Sequence, residues 1–229
     1  MALLGEGALV IWHDVRAETD YNEWHSKEHM LERVGVPGFR RGLRYVALAG
    51  SPRYMNLYEV DDVATLTSKP YLDRLNAPTP WTRRVLPGMH DSSRTLCRVV
   101  ASHGGVGICA YLLTVQLAAQ PDREDEMRSW LIDDALPALA ARAGIIGAHL
   151  LEGDQAASRT RTEEKRLRGD ADATADRIVL VGGYDAEALE AARDDTLGRH
   201  HLVGHGAAAD QTVGLYRLLH AVTKQDLPA

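Results

Sequence analysis

Two stretches of this 229-residue chain can be laid over one another without a gap, residues 24–38 on residues 130–144. The offset of 106 pairs Trp24 with Trp130 and Gly38 with Gly144, and it sets Glu28 against Asp134. Such a repeat constrains the chain more than any single motif, because whatever unit it encodes is built twice.

The order of elements in each half says what that unit is. Residues 8–15 are β-branched and aromatic enough for a strand, and residues 20–34 carry apolar side chains at helical spacing, with Thr19 or Asp20 able to cap the first turn. After the Val36-Pro37-Gly38 turn come strands over 39–48 and 53–60, joined by Ala49-Gly50-Ser51-Pro52 as a hairpin link. A helix from Asp61-Asp62 to Leu75 is stopped by Pro78-Thr79-Pro80-Trp81, and residues 93–102 alternate as a fourth strand. The same order returns as a strand over 106–118, a helix over 122–143, strands over 145–152 and 177–184, a helix over 186–197 and a strand over 211–219. The fold class expected is α+β, two tandem ferredoxin-like (βαββαβ) repeats, with boundaries at 1–103 and 104–229.

The second half carries a charged insertion, residues 154–176, too poor in apolar side chains to offset its ordering entropy. It is expected as a solvated loop or exposed hairpin extension, with a lid over a pocket as the alternative. Hydrophobic residues at 45% and charged residues at 25% describe a globular chain, and a net charge of −6 gives no attraction to nucleic acid or an anionic membrane. Cys97 and Cys109 sit in apolar runs without ligand-like spacing and read as buried thiols of a reducing compartment. With no signal-like N-terminus and no apolar run of about 18–20 residues, the expected location is cytoplasmic.

The chemistry concentrates in Trp24-His25-Ser26-Lys27-Glu28-His29. A spacing of four stacks His25 and His29 on one helical face beside an indole, and the offset places Leu131 and Ala135 opposite them. Only the first half therefore has a histidine face.

These residues, with Val36-Pro37-Gly38-Phe39 and the strand from Tyr54 to Glu59, resemble the dimeric α/β-barrel superfamily and, within it, EthD-like proteins. The resemblance is closest over 8–102 and fainter over 106–219. It implies that two ferredoxin-like units pair their antiparallel sheets into a barrel, here within one chain, with a pocket between each sheet and its own helices. The superfamily includes cyclases, isomerases, cofactor-free monooxygenases and haem proteins, so the fold leaves the reaction open.

Histidine titrates near neutral pH and can accept and return a proton. The expected function is a small-molecule isomerase, cyclase or lyase acting on an apolar or aromatic carbonyl compound, without a cofactor. His25 and His29 are the candidate base and acid, Glu28 or Glu32 the orienting carboxylate, and Trp12, Trp24 and Tyr58 the pocket walls. Arg33, Arg40 or Arg44 could hold a carboxylate or enolate. The alternatives are a non-catalytic ligand- or haem-binding barrel, and a metal-dependent enzyme with His25 and His29 as ligands. His25-Ser-Lys-Glu28-His29 also spells H-x-x-E-H, but no third zinc ligand is identifiable. A small-molecule substrate is the expected partner, with room for a homodimer of tandem-repeat chains.

His200, His201 and His205 lie among Gly198, Gly204 and Gly206 and read as a solvated loop, with a contribution to a pocket or metal site as the lesser reading. Strand alternation puts His13 and Trp12 on opposite faces, so only one of them can face a given pocket. Gly104-Gly105-Val106-Gly107 precedes a strand and lacks the context of a dinucleotide fingerprint.

Overall fold

The computed structural model describes residues 3–105, 107–169 and 172–227. Residue 106, where the fifth strand was expected to begin, and residues 170 and 171 of the insertion lie outside the described residues. The strands are β1 (Gly7–Val15), β2 (Phe39–Ala49), β3 (Tyr54–Val60), β4 (Met89–Gly104), β5 (Tyr111–Leu117), β6 (Ile145–Gly153), β7 (Arg177–Gly183) and β8 (Thr212–Thr223). They close into an antiparallel barrel in the order β1-β3-β2-β8-β5-β7-β6-β4. Strands of the first half stay together as β4-β1-β3-β2 and those of the second as β8-β5-β7-β6. The seams are β2 against β8, with Leu43 opposite Ala221, and β4 against β6, with Val99 opposite Leu151. Closure leaves neither half a free sheet edge.

Period-two alternation sorts each strand between two environments. On β1, Val10 and Trp12 point into the barrel with Tyr45, Leu57, Cys97 and Tyr216, while Leu9 packs outward under the helices with Phe39 and Tyr58. Helix α1 (residues 18–35) crosses the outside of the first-half sheet and α4 (residues 124–140) that of the second. Both are interrupted by one wider π-helical turn, at His25–His29 and at Leu131–Ala135. Both are followed by a glycine in the left-handed region, Gly38 (φ 88°) and Gly144 (φ 85°), where a Cβ would also strike Thr65 and Ala188.

Several elements differ from expectation for local reasons. Helix α1 starts at Glu18 with no side-chain cap, because its N-cap residue is Ala17; Asp20 lies inside the first turn and is held by Trp81 and Arg84. The helix expected from Asp61 is a 3₁₀ turn (Val63–Thr67), capped by Asp62, followed by α2 (Lys69–Asn76). Pro80, expected as a stop, instead opens α3 (Pro80–Val85), where proline at the start of a helix loses nothing. The insertion is not a solvated loop among its described residues: it contains α5 (Gln155–Ser158) and α6 (Glu163–Arg168). Beyond α7 (Ala186–Asp194), the glycine-rich histidine segment is helical as α8 (Arg199–Gly204). No helix among the described residues is long and apolar enough to cross a membrane.

Candidate functional site

The sheet face beneath α1 carries the site. Side chains of α1 reach β1 and β3, Tyr21 meeting His13 and His25 meeting Tyr58, so residues of odd parity on β1 and even parity on β3 face this helix. His25 and His29 are 2% and 8% exposed, with ring centroids 5.4 Å apart, and the Trp24 ring lies 4.2 Å from that of His29. Tyr58 Oη lies 3.5 Å from His25 Nε2, while His29 makes no hydrogen bond among the described residues. The Nδ1 atoms of both histidines are buried without a partner. Burial pushes both imidazoles well below their ordinary pKa, reinforced by the positive charge of Arg44 beside His25 and of Arg33 beside His29. Both rings are therefore neutral at pH 7, each with a free nitrogen lone pair, and the same burial makes them weaker bases than a free imidazole.

The two rings face a nearly enclosed cavity of about 30 Å³, room for a water or so. Its apolar wall includes Leu9, Ile11, Leu75 and Leu86, and its polar wall includes Arg33, Asn56, Arg94 and Glu164. Glu164 comes from α6, so the insertion of the second half seals the site of the first. It forms a fully buried ion pair with Arg33. The insertion is fastened along β4 as well: Leu96 N donates to Ser158 Oγ (3.0 Å) and Ala175 N to Thr95 Oγ1 (2.9 Å). Near the end of the barrel an open groove of about 1000 Å³ runs past the insertion. Met89 and Arg168 line both groove and cavity and thus form the partition between them.

The residues singled out in the sequence divide accordingly. His25, His29, Trp24, Tyr58 and Arg33 line the one cavity. Trp12 does not join them; it lies inside the barrel, because it has the opposite strand parity. Its neighbour His13 faces the helix side, where Nε2 accepts from Asn56 Nδ2 and lies within hydrogen-bonding distance of Tyr21 Oη, each at 3.0 Å. Desolvation brings the His13 pKa down to about 3. Glu28 orients neither histidine: its Oε1 accepts from Thr79 Oγ1 (2.5 Å) and Thr82 Oγ1 (3.4 Å), tying α1 to α3. Glu32 pairs with Arg74 at 3.3 Å. Arg44 is buried behind the histidine face, donating to Ser26 Oγ (2.8 Å) with its guanidinium over Tyr21, and Arg40 is an exposed partner of Asp61.

Asn56 and Arg94 are not among the residues singled out in the sequence, although each is a polar residue at an outward position of its strand. Glu164 has no such signal. His201 and His205 border a separate open cleft with Trp130, Asp134 and Arg142, where His205 stacks on Trp130 at 4.1 Å. In the second half the positions facing the sheet are Leu131 and Ala135, part of a closed apolar core.

A zinc site on the histidine pair needs a third protein ligand, but Glu28 is turned to α3 and Glu164 is bound to Arg33. The residues do not fit that group. In the closed form the cavity has no room for a haem, and both histidines approach it from one helix turn. Haem does not fit this closed form.

No protein-family model matches the sequence, and no curated protein matches it at a significant level. Solved structures do resemble it. An anthrone oxidase-like protein superposes with a TM-score of 0.65 at 15% identity, over 97% of this chain and 94% of that one. A candidate monooxygenase from Fusobacterium nucleatum subsp. nucleatum gives 0.60 at 9% identity, over 97% and 96%. A haem-binding protein from Thermus thermophilus gives 0.50 at 8% identity, over 94% and 92%. At these identities the likeness is one of fold, the α/β barrel.

Proposed function

We propose that this chain is a small-molecule enzyme of the isomerase, cyclase or lyase type. It abstracts a proton beside a carbonyl of a compact, largely apolar or aromatic substrate at the His25–His29 face. One observation carries the reading: two imidazoles kept neutral by burial, with unpartnered Nδ1 atoms, face a cavity walled mainly by aromatic and aliphatic side chains. His29, whose ring has no hydrogen-bond partner among the described residues, is the base, and the imidazolium it becomes returns the proton, directly or by way of His25, whose ring centroid lies 5.4 Å away. Trp24 and Tyr58 flank the ring of the substrate, and Arg33 faces the oxygen on which charge develops.

As the C–H bond breaks, its proton passes to the imidazole and its electron pair moves toward the carbonyl oxygen as an enolate. Drug-sized ligands occupy pockets of about 300–1,000 Å³. A cavity of about 30 Å³ therefore represents the closed state, and substrate enters from the groove when the insertion lifts. We further infer that residues 1–103 and 104–229 are duplicated ferredoxin-like units akin to EthD-like proteins. The π turn and left-handed glycine recurring at one offset support this. Two free thiols, Cys97 buried and Cys109 half-buried, support a cytoplasmic protein.

A second reading is oxidation of the same carbanion by dioxygen, by fold analogy with the anthrone oxidase-like and monooxygenase-like structures. Deuterium exchange under nitrogen tests the first step alone. Anthrone and tetralone incubated in D₂O should exchange their acidic C–H positions faster with the protein than without it. His29→Gln should lower that acceleration by about 10²–10⁴-fold. Exchange rates unchanged by the protein, or by His29→Gln, would refute the proposal. Oxygen uptake on admitting air separates the second reading from the first.

A further inference from the structure

Three guanidinium groups line the cavity, and they are not equivalent. Arg33 is paired with Glu164, and Arg168 with Asp172 at 2.8 Å. Arg94, which β4 holds with its side chain on the same face as Leu96, is 9% exposed. It has no carboxylate within ion-pair distance among the described residues, and its Nη2 donates only to the neutral Tyr71 Oη, at 3.0 Å. On the next guanidinium, Arg33 Nη1 is also buried with no partner.

A buried charge is normally paired, because leaving water without a counter-charge is costly. The histidines supply none, since an imidazole is either neutral or cationic. Every carboxylate at the cavity wall is already engaged: Glu164, the one acidic residue among its lining residues, is held by Arg33. The wall is therefore built with one unit of positive charge in excess.

We propose that Arg94 is the receptor for an anionic group of the substrate, so that the site prefers small aromatic or alicyclic carbonyl compounds that also carry a carboxylate or phenolate over their neutral counterparts. The charged group lies on Arg94, with Arg33 Nη1 as a second donor, and the remainder of the ligand extends toward His25 and His29. Asn56 Oδ1, buried and unpartnered, is placed to accept from a hydroxyl of the same ligand. This assignment rests on the cavity being the substrate site, but it does not depend on which histidine moves the proton.

The test uses benzoate, with benzamide as its neutral isostere, titrated calorimetrically into the full chain at low and high salt. Benzoate should bind at least tenfold more tightly than benzamide, and added salt should narrow the gap. Arg94→Met should abolish the preference and raise the melting temperature of the ligand-free protein, because it removes an uncompensated charge from the cavity wall. Arg94→Lys should retain the preference. Equal binding of the two probes, failure of both to bind, or an Arg94→Met variant that still prefers benzoate would overturn the proposal. A lower melting temperature of ligand-free Arg94→Met would likewise identify the arginine as structural. His29→Gln should keep the benzoate preference while losing deuterium exchange, so this inference and the proton-transfer reading can fail separately.

Discussion

At the scale of residues, burial determines what each ionisable group does. Four buried histidines are held neutral by desolvation: His13 and His149 with pKa values of about 3 and 4, and His25 and His29 well below the ordinary 6.5. Below that value the unfolded chain takes up protons that the folded chain refuses, so stability rises with pH through this window. The protein should be fully stable above about pH 6.5 and lose roughly 1.4 kcal/mol per pH unit for each such histidine on acidification. Urea melts at pH 7, 6 and 5 measure this slope. His25→Gln should flatten it by one histidine's share, and an unchanged slope would mean that the ring is already solvated. Glu28 lies at the other extreme. Glu28→Ala breaks hydrogen bonds from a carboxylate to Thr79 and Thr82 and should cost about 1.5–3 kcal/mol of stability. Ketone deuterium exchange should survive it; loss of exchange without loss of stability would return Glu28 to the chemistry.

At the scale of elements, the insertion behaves as a fastened cover. Its composition predicted exposure, yet α6 reaches across to α1 through Arg33 and Glu164, and Glu163 pairs with Arg83 of α3 at 3.0 Å. Breaking a buried pair by removing one partner leaves an uncompensated charge, so Glu164→Gln should destabilise the fold by about 3–5 kcal/mol. Arg33→Met combined with Glu164→Leu should recover most of that loss. A double variant as unstable as the single one, by chemical denaturation, would show that the pair itself stabilises closure. The π-helical turn carries a related lesson. It recurs over Leu131–Ala135, where the side chains form only core, so the wider turn does not require the histidines.

At the scale of the whole molecule, each half supplies what the other lacks. β2 and β4, the two ends of the first sheet, are covered by β8 and β6, and the first half's cavity is sealed by a helix from the second. Residues 1–103 expressed alone would expose both sheet edges and the apolar face that holds Trp12, Tyr45 and Leu57. That fragment should not remain a folded monomer, whereas the full chain should unfold in one cooperative transition. Sedimentation of the fragment, and coincidence of far-ultraviolet dichroism with tryptophan fluorescence for the full chain, check the two statements. A folded monomeric fragment would contradict this interdependence.

Local patterns in the sequence sufficed for much of this. The 3.6 and 2.0 periodicities placed α1 and most strands, and the spacing of four put His25 and His29 on one face, because these are properties of short stretches of backbone. Parity also separated Trp12 from His13, although it could not say which of them faced the helix. That choice depended on which side of the sheet α1 lay, and so on the closed barrel. The partner of Arg33 lies 131 residues away on a segment whose composition suggested solvent, and Arg94 acquires meaning only from the absence of such a partner. Charge compensation is a property of three-dimensional neighbours. The histidine face was therefore written in the sequence, while its cover, its excess charge and its closed volume were decided by tertiary packing.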